Sequence, residues 1–285
     1  MSDARPARGP KPQVVLEVLR SERIGGHMVR LTLGGEGFAA FQDKEATDKY
    51  VKLLFADPEL GLTPPYNLEE LAKALPPERM PVRRTYTVHD VDHDAQTLQI
   101  DFVVHGDQGL AGPWAERAQP GDVVCFAGPG GMYLPDPAAD WHLIGGDESA
   151  LPAISATLAA LPADARGLVW VEVVDAADEV PLQAPEGVEV RWVHRGGPFA
   201  PESTRLAAAI QDGPWLDGDV QVFVHGEREM IKAVRRYLTD VRGVPRTRMS
   251  LSPYWAYGRV EDVFQAEKRE PIGQIFPENQ PLPGN

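Results

Sequence analysis

The feature that most constrains the fold of this 285-residue chain is a change of pattern near residue 130. Before it, the sequence reads as short β-strands with alternating polar and apolar residues, as in 29–33, separated by Gly and Pro. After it, apolar strands alternate with segments of helical periodicity. The stretch 128–137 is rich in Gly and Pro and is expected to continue neither pattern, so it predicts a domain boundary.

The first part of the chain is predicted to form six short antiparallel strands. Closing them into a small barrel would remove the exposed edges that such strands otherwise present. The strands are expected at 14–24, 28–34, 50–56, 84–90, 98–104 and 122–127, with short helices near 68–75 and 109–118. This barrel domain is expected to span 14–135, after a flexible arm at 1–13.

The second part, 136–258, alternates strands with helices. Strands separated by helices pair in parallel, so this part is predicted to be a doubly wound parallel sheet. Strands are expected at 142–145, 168–174, 188–193 and 220–224, and helices at 148–161, 202–211 and 229–241. The remaining residues, 259–285, are expected to hold a short helix at 260–270 and a mobile, Pro-rich tail from 271.

Composition argues against several classes of protein. The formal net charge of −14 opposes binding to nucleic acid and to anionic lipid. No apolar run reaches the roughly 18 residues of a spanning helix, and the first residues lack the apolar stretch of a secretory signal. We therefore expect a cytoplasmic protein without membrane insertion.

The single cysteine, Cys125, excludes an internal disulfide and a Cys-ligated iron–sulfur cluster. Because it lies in the apolar run 123–126, it is predicted to be a buried structural thiol. The seven histidines are scattered, and no group of His, Cys and carboxylates has the spacing of a metal site. No metal ion held by the protein's own side chains is expected.

The first motif that points to chemistry is Arg84–Val88. On a strand, Arg84 and Tyr86 share one face, and Thr85 and Thr87 share the other. An Arg fork suits a phosphate, a Tyr ring can stack on an isoalloxazine, and a Thr hydroxyl or a backbone N–H can reach flavin N5. The alternative is an ordinary strand with a surface arginine.

The second motif is the segment 105–115, in which a strand ends, glycines follow and a helix begins. Glycines permit close backbone approach, and N–H groups at the start of a helix bind phosphate, so the segment suits the pyrophosphate of FAD. The alternative is a capped loop with a core tryptophan.

The third motif, 145–154, runs from a strand through glycines into a helix at the carboxyl edge of the predicted parallel sheet. Ligands bind at that edge in such folds. The segment lacks the GxGxxG fingerprint, and its acidic pair, Asp147 and Glu148, disfavours a pyrophosphate lying directly against it. A nicotinamide or a ribose edge is the better candidate.

Together with other segments, these motifs resemble the siderophore-interacting proteins, the family of ferric-siderophore reductases. The resemblance covers residues 14–270, nearly the whole chain, and is specific because the segments keep the family's order. The matching segments are 27–33, 50–55, 84–88, 101–106, 112–115, 146–154 and 254–258.

The resemblance implies a ferredoxin-reductase-like barrel that holds FAD non-covalently and an α/β domain that docks a reduced nicotinamide, NADH or NADPH. The residues it assigns to the flavin and its phosphate are Arg84, Tyr86, Thr87 and Val88. Those it assigns to the pyrophosphate and adenosine are His105, Gly106, Gly112, Pro113, Trp114 and Ala115. Tyr254 and Trp255 are assigned a place near the flavin ring.

Three positions depart from the family's pattern. His89 stands where the family often has a second Arg, and Ala256 where an Arg often follows the Tyr-Trp pair. Ser149 replaces a common Thr, which is a mild change. The two missing cations leave the phosphate and substrate contacts beside them open.

The residues proposed for the nicotinamide cofactor lie at strand ends: Gly146, Asp147, Glu148, Ser149, Asp175, His194 and Arg195. The acidic loop that begins at Asp175 favours NADH, because a free ribose often meets an acid and a 2′-phosphate recruits Arg or Lys. Arg195 or Arg228 could fold into the same site, which leaves NADPH open.

Many ferric siderophores are anionic, so a basic pocket beside the flavin is expected. The candidates are Lys52, which interrupts an apolar strand, and Arg259 and Lys268, which flank the predicted C-terminal helix. The alternative for each is a solvated surface cation.

These inferences predict hydride transfer from a nicotinamide to FAD, and then single-electron transfer to siderophore-bound Fe(III). Fe(II) is then released, because hard oxygen donors hold it weakly. Iron arrives chelated, so neither a protein metal ligand nor a catalytic side chain is required. Two alternatives stay open: a general flavin or electron-transfer reductase for another acceptor, and a non-enzymatic binder of flavin or siderophore. Ferredoxin also stays open as an alternative electron donor.

Overall fold

The computed structural model describes residues 12–104, 106, 109–200 and 205–276. Its first part contains the strands β1 (Gln13–Arg23), β2 (Met28–Gly34), β3 (Tyr50–Phe55), β4 (Val82–Asp92), β5 (Thr97–Val103) and β6 (Val123–Gly130). They close an antiparallel barrel in the order β1-β2-β5-β4-β3-β6, which confirms the predicted architecture. Helices α1 (Leu68–Ala74) and α2 (Ala111–Arg117) lie near the predicted positions.

The barrel interior is filled by alternate residues of its strands, as the period of two requires. Leu31 and Leu33 on β2, and Leu98 and Ile100 on β5, are fully buried. Strands β4 and β5 pair only from Val88 onward, whereas residues 82–87 of β4 pair with β3 alone. The barrel wall therefore has an open seam beside the predicted flavin motif.

The second part is a five-stranded parallel sheet, which confirms the predicted fold class. Its strands are β7 (Trp141–Asp147), β8 (Gly167–Val173), β9 (Val188–His194), β10 (Val220–Glu227) and β11 (Met249–Trp255). Its helices are α3 (Leu151–Ala159), α4 (Arg205–Asp212), α5 (Arg228–Arg236) and α6 (Glu261–Glu267). The order β11-β10-β7-β8-β9 reverses between β7 and β10, and ligands bind at the carboxyl ends of strands at such a switch point.

Strand β11 is a correction to the sequence-based prediction, which has four strands in this part. It pairs with β10 at the edge of the sheet. Pro253 lies within it, and a proline is tolerated on an edge strand but argues against a strand when only the sequence is read.

Several element boundaries also differ from the prediction. Strand β6 continues through Gly128–Gly130, because there it pairs with β3 alone across an irregular register, and an edge accommodates Gly and Pro. The predicted helix at 148–161 is a 3₁₀ turn followed by α3, and the one at 229–241 is α5 followed by a π-helical turn. The predicted helix at 202–211 corresponds to α4, and its first predicted residues, 202–204, lie outside the described residues.

The expectation of a mobile tail does not hold for residues 271–276. Ile275 is 9% exposed and, with Phe276, packs against the core of the α/β part. The Arg246 guanidinium lies 4.5 Å from the centre of the Phe276 ring. The tail beyond 276 and the arm at 1–11 lie outside the described residues.

Cys125 is buried, and its thiol lies 3.2 Å from Gln13 Oε1. Burial raises the pKa of Cys125 to about 12, which confirms a structural rather than a nucleophilic thiol. Within the described ranges, no helix is both long and apolar enough to cross a membrane. The same residues contain no group of three His, Cys, Asp or Glu side chains that could hold a metal ion.

Candidate functional site

A cavity of about 910 Å³ lies between the barrel and the parallel sheet. Its walls come from β3 and β4, from the carboxyl ends of β7 and β11, and from α6. It therefore adjoins both the barrel seam and the switch point of the sheet. Its volume is near the upper end of the roughly 300–1,000 Å³ of small-molecule and cofactor sites, so a large ligand fits.

The barrel wall of the cavity carries hydroxyl, phenol and ammonium groups. In the β3–β4 ladder, Tyr50 lies opposite Thr87 and Lys52 lies opposite Thr85. Side chains of directly opposed residues project to the same side of the sheet, so these four share one face. All four line the cavity.

Arg84, Tyr86 and Val88 belong to the other face of β4. The Tyr86 ring packs 4.4 Å from the Phe102 ring and also lines the cavity, which it reaches at the seam. Val88 is 1% exposed and belongs to the barrel core. Arg84 lies outside the described lining of the cavity, with its guanidinium 3.4 Å from the Asp262 carboxylate on α6.

The turn between β5 and α2 is shaped by glycines. Gly106 and Gly109 have φ values of 61° and 86°, in the left-handed region that glycine favours, and Gly106 lines the cavity. A Cβ on Gly112 would lie 3.0 Å from the Val103 carbonyl oxygen, so glycine permits close packing of α2 on β5. His105 lies outside the described residues.

The rest of this segment packs on the barrel. Pro113 and Ala115 are buried. The Trp114 ring lies 5.4 Å from the Phe55 ring and 5.9 Å from the Phe102 ring. These three side chains thus hold the turn in place. The backbone of the turn, and not these side chains, is therefore the part that could contact a pyrophosphate.

The sheet wall is built from hydrogen-bonded carboxylates. Asp147, 3% exposed at the end of β7, accepts hydrogen bonds from Ser149 N at 3.0 Å and Ser149 Oγ at 2.5 Å. It also accepts from Glu227 N at 2.8 Å and Trp255 Nε1 at 2.9 Å. Burial raises the pKa of Asp147, nearby Glu148 adds to the rise, and the Ser149 and Trp255 donors oppose it.

A second acid on this wall is neutralised by an arginine. The Arg195 guanidinium contacts the two Glu148 carboxylate oxygens at 2.8 and 2.6 Å, and both side chains are at most 10% exposed. Glu172 lies 3.9 Å from Arg195 and accepts a hydrogen bond from Leu206 N at 3.1 Å. Burial raises the pKa of Glu172 to about 7. Arg195 is thus already engaged by acids in the wall of the cavity.

Three residues proposed for the nicotinamide lie outside the described lining of the cavity. A Cβ on Gly146 would lie 2.5 Å from the His225 carbonyl oxygen, so this glycine permits close packing against β10. Asp175 is exposed and accepts a hydrogen bond from the backbone of the turn that follows it. His194 Nε2 lies 2.7 Å from the Glu179 carboxylate.

Tyr254 and Trp255 extend from β11 into the cavity. The Tyr254 hydroxyl lies 3.1 Å from His225 Nδ1, and the Thr87 side chain of the barrel opposes the rise that burial causes in the pKa of Tyr254. His225 Nε2 lies 3.0 Å from Ser250 Oγ, and burial lowers the pKa of His225 to about 3, so its ring is neutral. Ser250, His225 and Tyr254 therefore form a hydrogen-bonded row on the sheet wall, and Thr87 of the barrel lies near its end.

Two of the three proposed substrate cations meet in the cavity. Lys52 and Lys268 both line it, whereas Arg259 lies outside its described lining, with Nε 2.6 Å from the Glu267 carboxylate. Burial lowers the pKa of Lys268; the Glu261 carboxylate opposes this and the Lys52 ammonium adds to it. The two ammonium groups are thus close enough to interact.

His89, a departure from the family's pattern, lines a separate cavity of about 880 Å³. Arg30 donates to both oxygens of Asp101 at 2.6 and 2.7 Å, and His89 Nδ1 lies 3.3 Å from the same carboxylate. Burial lowers the pKa of His89, although Asp101 opposes the shift. His89 is therefore placed beside a buried ion pair.

Sequence reasoning did not propose Tyr50, Thr85 or Glu261, which also line the cavity. The alternation of β3 and β4 was a usable signal for Tyr50 and Thr85, because it gives them the same face as the proposed Lys52 and Thr87. No local signal identifies Glu261, because its place depends on how α6 packs against β4.

Comparison with known proteins assigns the family. Residues 17–133 match the siderophore-interacting FAD-binding domain, and residues 139–258 match the siderophore-interacting protein family. The chain belongs to the siderophore-interacting proteins. The resemblance seen in the sequence is thereby confirmed, and the barrel is the FAD-binding domain of this family.

Two curated relatives are named as reductases. The ferric vibriobactin reductase ViuB of Vibrio cholerae is 34% identical over 267 residues, which is 92% of this chain and 96% of the relative. The NADPH-dependent ferric-chelate reductase of Escherichia coli is 31% identical over 246 residues, 84% of this chain and 91% of the relative.

The solved structures agree on the fold. A siderophore utilization protein from T. fusca has a TM-score of 0.76 at 36% identity, with 88% of this chain and 95% of that chain covered. The ferredoxin reductase of a carbazole 1,9a-dioxygenase has a TM-score of 0.60 at 16% identity, with 85% of this chain and 67% of that chain covered. The second likeness shows the fold alone, which is ferredoxin-reductase-like as predicted.

The residues of the cavity fit a flavin dinucleotide. Aromatic side chains on two walls, Tyr86 and Trp255, offer surfaces for a planar ring. Thr85 and Thr87 supply hydroxyl groups beside the seam. The backbone at Gly106 is open to a phosphate, because among the described residues other than its chain neighbours no heavy atom lies within 4 Å of the position that a Cβ would take.

Proposed function

We propose that this protein is an FAD-dependent ferric-siderophore reductase that passes electrons from NAD(P)H through FAD to siderophore-bound Fe(III), with release of Fe(II). One observation carries the proposal: a single cavity joins Thr87 of the FAD-binding barrel, Asp147 at the end of β7, and the ammonium groups of Lys52 and Lys268. The names of the Vibrio cholerae and Escherichia coli relatives support the acceptor class.

The barrel wall would hold FAD. Tyr86 would pack against the flavin, and the buried Thr87 hydroxyl would hydrogen-bond its ring. The backbone of the 105–115 turn would hold the pyrophosphate, and Arg84 would reach a phosphate by leaving Asp262. When bound, FAD supplies the conversion of a two-electron hydride into single electrons. Trp255 of the sheet would shield the ring from water.

The nicotinamide would dock at the carboxyl ends of β7, β8 and β9. We favour NADH, because Arg195 is engaged by Glu148 and the loop after β8 carries Asp175 and Glu179, which oppose a 2′-phosphate. The Escherichia coli relative is named NADPH-dependent, so the two donors are compared directly. We expect kcat/KM for NADH to exceed that for NADPH by about tenfold. Equal values, or a higher value for NADPH, would reject this preference.

The chelate would bind at Lys52 and Lys268. Lys52→Ala and Lys268→Ala are each expected to raise KM for an anionic ferric siderophore by about fivefold without lowering the FAD content. Arg259→Ala is the matched control, because the Arg259 side chain is bonded to Glu267 outside the described lining. Unchanged KM in both lysine variants would remove the basic pocket from the proposal.

The proposed function is tested on the purified protein under anaerobic conditions. The protein is expected to be yellow, to release FAD on denaturation, and to lose its colour when NADH is added. A ferric hydroxamate should restore the colour, and a chromogenic Fe(II) chelator should capture the product. Reduced ferredoxin is tried in place of NADH as an alternative donor.

Three outcomes would contradict the proposal. A colourless protein that releases no FAD would overturn it entirely. Faster reduction of free flavin or cytochrome than of any ferric siderophore would identify a general flavin or electron-transfer reductase. A yellow protein that binds the chelate but accepts electrons from neither nicotinamide nor ferredoxin would be a binding protein.

A further inference from the structure

A carboxylate lies among the ammonium groups of the proposed chelate site. Glu261 is the first residue of α6, is partly buried, and lines the cavity. Its Oε1 accepts a hydrogen bond from Thr85 N at 3.0 Å. Thr85 belongs to the part of β4 that pairs with β3 alone, so Glu261 satisfies a backbone donor at the open seam.

The two ammonium groups lie on either side of this contact. Lys52 is the ladder partner of Thr85, so its side chain projects from the same face of the barrel wall. Lys268 follows Glu261 by seven residues, about two helical turns, and thus extends from the same side of α6. The Lys268 ammonium lies 4.6 Å from the centre of the Phe264 ring and interacts electrostatically with both Glu261 and Lys52.

Two ion pairs lie beside this cluster. Arg84 faces Asp262 at 3.4 Å, so these two add no net charge beside the cluster. On the sheet wall, Glu148 is paired with Arg195. The cluster of Lys52, Lys268 and Glu261 therefore has two positive charges and one negative charge when all three groups are ionised.

We propose that Glu261 sets the charge preference of the chelate site, which selects ferric chelates of low net negative charge over strongly anionic ones. This inference rests on the proposed function and names its substrate class. A site with two unopposed ammonium groups would favour a trianionic triscatecholate complex. The carboxylate repels such a complex and leaves the binding of a neutral trishydroxamate complex nearly unchanged.

The test uses Glu261→Gln in the FAD-loaded full-length protein. An amide oxygen still accepts the hydrogen bond from Thr85 N, so the variant removes the charge and keeps the contact. Glu270→Gln is the matched control, because it removes the same charge from an exposed residue just after α6, outside the described lining of the cavity. Dissociation constants for both ferric chelates are measured on the oxidised protein by tryptophan fluorescence quenching, which requires no turnover.

We expect Glu261→Gln to tighten binding of the trianionic triscatecholate by about tenfold and to change binding of the neutral trishydroxamate by less than about twofold. Glu270→Gln should change either constant by less than about twofold. An equal effect on both chelates, or an equal effect of Glu270→Gln, would overturn the proposal. Reduction by NADH is assayed separately, so a protein that binds chelates by charge but reduces none would contradict the proposed function and leave this inference standing.

A second variant covers the case in which Glu261→Gln folds poorly. Lys268→Gln removes one positive charge from the other side of the cluster, and it should weaken binding of the trianionic chelate by about tenfold and spare the neutral one. Equal affinities of Lys268→Gln and the unaltered protein for the trianionic chelate would also overturn the proposal. Thermal unfolding followed by circular dichroism establishes which variants are folded.

Discussion

The two walls of the cavity differ in how their polar groups are satisfied. On the sheet wall, Asp147 accepts four hydrogen bonds and Glu148 is held by Arg195 at 2.8 and 2.6 Å. On the barrel wall, the polar groups are hydroxyls and ammonium groups beside an open seam, among them Thr87 and Lys52. The sheet wall is organised by its own contacts, whereas the barrel wall presents groups suited to a ligand.

This difference has a physical consequence for substitutions. Buried charges that satisfy one another cost several kcal/mol to separate, because the partner that remains is left unpaired in a poorly solvated place. Neutral hydroxyl groups cost far less to remove. Changes to the sheet wall should therefore act mainly on folding, and changes to the barrel wall mainly on ligands.

The largest effect on folding is expected from Arg195→Leu. The substitution leaves Glu148 buried without its partner, and the free energy of unfolding should fall by about 3–5 kcal/mol. Urea unfolding at pH 7 measures the loss. Arg191→Leu is the control on β9, the strand that Arg195 directly follows, because Arg191 pairs with Glu189, which is 59% exposed. A loss below about 1 kcal/mol is expected. Similar losses in the two variants would show that the sheet wall is not organised as described.

The next effect concerns Glu172, whose pKa burial raises from 4.5 to about 7. A carboxyl whose pKa is raised on folding contributes its full stability below pH 4.5, and the contribution is lost as the pH rises through about 7. Glu172→Gln removes this dependence. The free energy of unfolding of the variant, relative to that of the unaltered protein, should therefore rise by about 3 kcal/mol between pH 5 and pH 8.

Urea unfolding at four pH values between 5 and 8 measures this difference. Glu189→Gln is the control, because the Glu189 carboxylate is largely exposed. The free energy of unfolding of this variant, relative to that of the unaltered protein, should not change with pH. If this relative free energy of unfolding does not change with pH for Glu172→Gln, ionisation of Glu172 does not destabilise the folded protein.

The barrel side of this comparison could largely be predicted from the sequence. The alternation of β3 and β4 and the motif Arg84–Val88 are local patterns, and a strand places alternate residues on opposite faces whatever the rest of the chain does. The same local reasoning predicts a strand that ends at Gly145 and a helix that begins at Glu148, which places Asp147 at the carboxyl edge of the sheet, because a buried apolar strand followed by glycines and a helix is typical of a parallel sheet. It does not predict the four donors that surround Asp147.

What the sequence does not predict depends on contacts between distant segments. The seam beside Thr85 exists because β4 pairs with β5 only from Val88 onward, which follows from barrel closure. Glu261 reaches Thr85 across 176 positions, and its role becomes visible only once α6 is packed against β4. Strand β11 was missed because Pro253 hides an edge strand, although Tyr254 and Trp255 on it were proposed from the family resemblance.

A smaller effect is expected where the two walls meet. Tyr254→Phe removes the hydroxyl that contacts His225 beside Thr87, and the neutral His225 ring loses a buried partner. The free energy of unfolding should fall by about 1–2 kcal/mol. Tyr257→Phe, at a side chain that is 46% exposed, is the control and should be neutral. An unchanged free energy of unfolding for Tyr254→Phe would mean that the contact between Tyr254 and His225 does not stabilise the place where the two walls meet.

The smallest effect on folding is expected from Thr87→Val on the barrel wall. Valine has nearly the same shape and fills the same buried position, so the free energy of unfolding should change by less than about 1 kcal/mol. If the Thr87 hydroxyl orients the flavin ring, as we propose, anaerobic reduction of bound FAD by NADH should slow by about a hundredfold while the FAD content stays the same. Thr32→Val on β2 is the control, because Thr32 lies outside the described lining of the cavity. Unchanged reduction would remove Thr87 from the flavin site. If Thr87→Val instead lost as much stability as Arg195→Leu, the barrel wall would depend on its own contacts as much as the sheet wall does.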